Sequence, residues 1–101
     1  MTNYPEPLNN PHQNMSDDVR EIMQIRQLFE RPVELLGVSA YEISTMYMPR
    51  LHAAIGDTAG YQQLVQQAKM ATDRMQESAR IIGEMRMRLE AIANAVKRAG
   101  G

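Results

Sequence analysis

The sequence predicts an all-α protein in which short N-terminal helices are followed by one long, heptad-patterned helix. Apolar residues recur at helical spacing from Val19 onward, prolines and glycines interrupt the first part of the chain, and no proline occurs after Pro49. Helices that each carry one apolar face need other helices to cover it. We therefore expect a helical hairpin or bundle that is completed by oligomerisation.

The N-terminal segment is expected to be a mobile arm over residues 1–15. It holds three of the five prolines and four asparagines, with few apolar side chains to anchor it. A first helix should follow, because Ser16 or Asp18 can cap it and Glu21 stands three residues after Asp18. Pro32 disfavours helical geometry at the residue before it, so this helix is expected to end there.

A further helix start is predicted after Gly37, which is expected to stop a short turn of helix. Ser39 and Glu42 have the spacing of a capping box, and Val38 and Ile43 have the spacing of a hydrophobic staple. Both devices place the helix start at Ser39. Four bulky side chains of this helix are predicted to contact another helix: Tyr41, Met46, Tyr47 and Met48.

One long helix is predicted over residues 57–101, after short helices over residues 16–56 with breaks near residues 32, 37 and 49. Its apolar residues repeat every seven positions for about six heptads, a pattern typical of a coiled-coil seam that mediates self-association. The first seam line consists of Tyr61, Ala68, Met75, Ile82, Leu89 and Val96. The second seam line, three residues further on in each repeat, consists of Leu64, Ala71, Ser78, Met85 and Ile92.

The net charge of -1 conceals an uneven distribution of charged residues. Residues 1–57 carry eight acidic and four basic side chains, whereas residues 58–101 carry four acidic and seven basic ones. Opposite charges on the two halves favour packing of one half on the other, or contact between copies, over the uniformly basic surface of a nucleic-acid binder. On the long helix, Arg86 and Glu90 have the spacing of an ion pair within one helix.

The chain has no apolar run long enough to span a membrane. Its first residues have neither the basic region nor the apolar region of a secretory signal. We therefore expect synthesis in the cytoplasm, and the pattern leaves open whether the final location is a virion or an exported assembly.

No residue pattern indicates catalysis or a bound cofactor. The chain has no cysteine, and His12 and His52 lie in different segments without another histidine at the spacing of metal ligands. The stretch "GDTAG" lacks the lysine of a phosphate-binding loop, and no serine has the glycine-flanked setting of a nucleophile. We therefore expect a non-enzymatic protein without catalytic, cofactor-binding or metal residues.

One segment resembles part of a DNA-binding motif. Over residues 29–48, Gly37 is flanked by Leu36 and Val38 and followed by Ile43, which is similar to the pattern of the helix-turn-helix family. The resemblance implies that the helix after Gly37 reads base edges in the major groove. That helix, "SAYEISTMYM", has no Lys, Arg, Asn or Gln with which to do so.

Two functions are compatible with these features. The favoured one is a non-enzymatic, self-associating helical subunit or adaptor for protein assembly, such as a small structural component of a virion or secretion apparatus. Its partners would be other protein chains, including copies of itself. The alternative is a small DNA-binding regulator with a degenerate helix-turn-helix at residues 29–48 and a dimerising C-terminal helix, for which binding to DNA should weaken steeply with salt.

Overall fold

The fold consists of helices throughout the part of the chain that the structure describes. This structure is a computed structural model, which describes the backbone of residues 11–100 and the side chains from Asp17 onward. The helices are α1 (Pro11–Leu28), α2 (Glu30–Glu42), α3 (Met48–Ile55) and α4 (Ala59–Gly100), with a π-helical segment at Ile43–Tyr47 between α2 and α3. The prediction of an all-α protein with shorter helices before one long helix is confirmed.

The first helix begins earlier than the sequence predicts. Helix α1 already includes Pro11, the first residue whose backbone the structure describes. Asp18 and Glu21 therefore lie inside α1 and do not form a capping box at its start. Of the predicted arm over residues 1–15, the first ten residues lie outside the described part, and the rest belong to α1.

A break at Phe29 separates α1 from α2, three residues before the proline that was expected to cause it. The backbone N–H of Phe29 is shared between the carbonyl oxygens of Ile25 and Arg26, each at 3.3 Å. Pro32 has no N–H to donate to the carbonyl of Leu28, so the helical bonding that would continue past Phe29 is incomplete. Proline thus interrupts the helix one turn ahead of itself.

The prediction of a helix start at Ser39 is wrong. Helix α2 runs without interruption from Glu30 to Glu42, so Gly37 and Ser39 lie in its interior. A glycine in a helix interior costs about 1 kcal/mol relative to alanine, which is less than the cost of ending one helix and nucleating another. The helix-turn-helix resemblance fails for the same reason, because the chain does not turn at Gly37.

Pro49 produces a π-helical segment and not a full break. It has no N–H for the carbonyl of Thr45, and the N–H of Met48 donates to the carbonyl of Ile43, five residues earlier. The hydroxyl of Thr45 also donates to the carbonyl of Tyr41 at 2.7 Å. The helical path therefore continues into α3 with one widened turn.

A short turn joins α3 to α4. Gly56 ends α3 with a φ of +65°, in the region that favours glycine, and its N–H donates to the carbonyl of His52 at 2.8 Å. The hydroxyl of Thr58 accepts a hydrogen bond from the N–H of Tyr61 at 3.2 Å, which caps the start of α4. The Asp57 carboxylate lies 3.1 Å from the His52 ring nitrogen.

The chain divides into two compact units. Residues 31–83 form one, and the described residues up to Glu30 form the other together with those from Glu84 onward. Among the described residues, Ala40 and Ala93 are the buried hydrophobic side chains, Thr72 is the buried polar one, and no large side chain is completely enclosed. Within the same part of the chain, no helix is long and apolar enough to cross a membrane.

Candidate self-association surface

The first seam line of α4 is covered by the chain itself. All six of its residues are half-buried: Tyr61, Ala68, Met75, Ile82, Leu89 and Val96. The line four residues further on in each repeat is covered as well, and it consists of Val65, Thr72, Ala79, Arg86 and Ala93. The face of α4 that the chain itself covers therefore consists of these two lines. Along the helix, its residues follow one another at alternating intervals of four and three.

The second seam line of α4 is exposed. In the unit of residues 31–83, Leu64 is 43% exposed, and Ala71 and Ser78 are exposed as well. In the other unit, Met85 is 42% and Ile92 50% exposed. Each unit therefore leaves part of an apolar helix line open to solvent.

Three of the four predicted contact residues of the N-terminal helices are also exposed. Tyr41 is 65% exposed, Met46 and Tyr47 are exposed by more than half, and Met48 is half-buried. The Tyr47 hydroxyl donates to the Glu42 carboxylate at 3.4 Å, which is a long hydrogen bond. The side chains of Tyr41, Met46 and Tyr47 are thus largely uncovered in the single chain.

The residues that were predicted to form a cap are helix-face residues. Val38 is 49% exposed on α2, whereas Ser39 and Glu42 are half-buried. Ile43, the first residue of the π-helical segment, is also half-buried. All four residues have a helical backbone, so their spacing does not mark a helix end. It places Val38 on an exposed face and the other three residues on a partly covered face.

Two ion pairs join the helices of the unit that contains residues 11–30 and 84–100. A guanidinium nitrogen of Arg26 lies 3.9 Å from the Glu90 carboxylate, and one of Arg86 lies 3.1 Å from the Glu30 carboxylate. Residue numbers rise along one helix as they fall along the other, so the two segments are antiparallel. Arg86 and Glu90, expected to pair within α4, instead each have a partner across the helix pair.

An apolar groove lies between the same two segments. Its volume is about 280 Å³, and it is lined by Ile25, Phe29, Met85, Arg88, Leu89 and Ile92. The arginine side chains that flank the helix contact are mostly buried. Among the described side chains, the Nε atoms of Arg26 and Arg86 are buried without a hydrogen-bond partner, so the contact carries the cost of desolvating these two donors.

A second groove lies within the unit of residues 31–83. It has a volume of about 400 Å³ and is lined by Ser44, Met48, Tyr61, Val65, Ala68, Lys69, Thr72, Asp73 and Gln76. The buried Thr72 hydroxyl donates to the carbonyl of Lys69 at 3.1 Å, and the Lys69 ammonium lies 3.7 Å from the Asp73 carboxylate. The groove carries polar groups that already have partners in the chain.

The outer surface of α4 carries a further ion pair. The Nε of Arg80 donates to the Glu77 carboxylate at 3.0 Å, and this hydrogen bond holds the pKa of the Glu77 carboxyl below its ordinary value. Both side chains are exposed, so the pair adds little to stability. Its physical effect is to keep Glu77 charged at slightly lower pH than an isolated glutamate.

No protein-family model matches the chain, and no curated protein or solved structure matches it either. Among the described residues, no group of three or more His, Cys, Asp or Glu side chains is placed to hold a metal ion. What the geometry offers is apolar helix surface in both units and a reciprocal pair of charged contacts in one of them.

Sequence reasoning missed two features of this surface. The covered line that contains Thr72 and Arg86 was overlooked because polar residues interrupt it. The pairing of Arg26 with Glu90 was missed because ion pairs four residues apart in one helix are the simpler interpretation. A signal for it was present, since "RQLFE" at residues 26–30 and "RMRLE" at residues 86–90 share their arginine and glutamate.

Proposed function

We propose that this chain is a non-enzymatic helical subunit whose function is to associate with copies of itself in a protein assembly. The observation that carries the proposal is the second seam line of α4. Leu64 in one unit, and Met85 and Ile92 in the other, are large apolar residues at heptad spacing with roughly half of each side chain in water. A regular apolar line of this kind is what a partner helix covers.

The poor core of the single chain supports the same proposal. Among the described residues, the hydrophobic side chains that are buried are two alanines, and no large side chain is completely enclosed. Complete burial of a large apolar side chain contributes about 1.5 to 3 kcal/mol. A chain that leaves its largest side chains half-covered therefore gains much of its available hydrophobic stabilisation only when other chains cover them.

The N-terminal helices supply a second apolar surface. Leu35, Val38 and Tyr41 recur at three-residue intervals on the exposed side of α2, and Met46 and Tyr47 follow in the π-helical segment. Tyrosine and methionine are both well suited to protein contacts, because one is a rigid amphipathic ring and the other adapts to irregular surfaces. This composition fits a subunit or adaptor with protein partners, such as a small structural component of a virion or secretion apparatus.

Sedimentation equilibrium of the wild-type chain, from micromolar to millimolar concentration, tests the proposal. We expect the average mass to rise with concentration to a multiple of 11.5 kDa, the mass of one chain. Helix content measured by circular dichroism should rise or stay constant as the assembly forms. A mass that stays at one chain over the whole range would contradict the proposal.

A further inference from the structure

The contact between residues 26–30 and residues 86–90 is built from two copies of one short motif. Both segments read Arg, three residues, then Glu, and the residue before each Glu is large and apolar: Phe29 in one and Leu89 in the other. The residues before the two arginines, Ile25 and Met85, are apolar too. All four apolar side chains line the same groove. The two helices therefore present equivalent side chains to each other.

The ion pairs of this contact are reciprocal. The arginine of each segment pairs with the glutamate of the other, Arg26 with Glu90 and Arg86 with Glu30. The two arginine side chains are covered to a similar degree, 27% and 24% exposed, and each has a buried Nε without a partner among the described atoms. The contact thus has approximate two-fold symmetry, like the isologous interface of a symmetric dimer.

Because this contact is self-complementary, we propose that it forms between chains as well as within one. In the assembly, the segment that runs from α1 to Glu30 of each copy packs on residues 84–100 of a second copy, which returns the same segment in exchange. This inference rests on the proposed function, since it names the mode of self-association. Each exchanged contact repeats the two ion pairs and the apolar groove of the single chain, so exchange loses no interaction.

The connection between α1 and α2 is suited to such an exchange. The N–H of Phe29 makes two long hydrogen bonds in place of one good one, and Pro32 cannot donate to the carbonyl of Leu28. The helical bonding is therefore incomplete beside the boundary between residues 30 and 31, where the exchanged segment would have to separate from the rest of its chain. Few backbone hydrogen bonds therefore have to be broken at this connection for the segment to separate from α2.

Charge reversal at the two ends of the contact provides a test that mixes two variants. In the first variant, Arg26→Glu and Glu30→Arg place like charges opposite Glu90 and Arg86. In the second variant, Arg86→Glu and Glu90→Arg do the same from the other side. Each variant alone has two repulsive contacts, whether they form within one chain or between identical chains.

A mixture of the two variants restores every ion pair only through exchange. The reversed α1 of the first variant matches the reversed α4 of the second, and the unchanged segments match each other. Four contacts change from repulsive to attractive, so we expect the mixed assembly to be favoured over either variant alone by about tenfold or more at low salt. A chain that carries all four substitutions is the matched control and should associate like the wild type.

Native mass spectrometry with one variant isotopically labelled distinguishes the outcomes. Preferential formation of the mixed species supports exchange of α1. Random mixing of the two variants, with a wild-type chain that does associate, would overturn the exchange and leave the proposed function in place. A wild-type chain that stays monomeric at every concentration would overturn both. Loss of the preference in high salt should accompany a positive result, because partly exposed ion pairs are screened.

Discussion

The substitution Ile92→Asp tests whether the exposed second seam line of α4 mediates association between chains and contributes little to the stability of one chain. Half of the Ile92 side chain is in water in the single chain, so covering this exposed half in an assembly contributes about 1 kcal/mol for each copy. A symmetric dimer loses this contribution twice, about 2 kcal/mol, and in addition has to desolvate two carboxylates. The dissociation constant should therefore rise by about 30-fold or more.

The matched control is Met87→Asp. Met87 lies on the same helix and is 70% exposed, but it does not belong to the second seam line. Sedimentation equilibrium gives the dissociation constant, and urea unfolding of the dilute protein gives the stability of the single chain, which Ile92→Asp should lower by no more than about 1 kcal/mol. If the two substitutions weaken association equally, or if Ile92→Asp leaves it unchanged, the assignment of this line to self-association is refuted.

Two further pairs of substitutions test the fold. Gly37→Ala should raise the free energy of unfolding by about 1 kcal/mol, because Gly37 lies inside α2 with nothing near the added methyl group. Gly56→Ala should lower the free energy of unfolding, since Gly56 has a positive φ. If urea titrations show that Gly37→Ala destabilises the protein, the turn at Gly37 that the sequence suggests would be supported after all. Thr58→Ala should lower the free energy of unfolding by about 1 kcal/mol by removing the cap of α4, while Ser39→Ala should have almost no effect on it. Thermal melts in which the two substitutions destabilise the protein equally would argue against the observed helix boundaries.

The helical class and the turn before the long helix could be predicted because local signals for them agree. Gly56 and Thr58 have the chemistry of a helix end and a helix start, and the seven-residue repeat runs through the whole of α4. The break after α1 was predicted from Pro32 and lies one helical turn earlier, where the missing N–H leaves the Leu28 carbonyl without its partner.

The helix through Gly37 could not be predicted because a capping box is a pattern of residue types that also occurs by chance inside helices. Ser39 and Glu42 have the right spacing, but a cap forms only if the residue before the helix leaves helical geometry. Ser39 does not do so here, because α2 continues through it to Glu42. The context that decides this, burial of Ala40 in the folded chain, is not local in the sequence.

The orientation of the seam depends on tertiary structure for a similar reason. A heptad repeat identifies a line such as Met75, Ile82 and Leu89, but the companion line can lie three or four residues further on. The chain uses the line that includes Thr72 and Arg86 for its own packing. The apolar residues of the other companion line stay exposed in the single chain. The repeat alone does not show which of the two companion lines the chain covers.

Oxidation of Met85 and Met87 as a function of protein concentration tests the central claim most directly. Both methionines are accessible in the single chain, 42% and 70% exposed, so both should be converted to sulfoxide by dilute peroxide at low concentration. At concentrations where the mass exceeds one chain, we expect Met85 to be protected and Met87 to be oxidised as before. Equal oxidation of both residues at all concentrations would contradict the claim that the second seam line is buried by self-association.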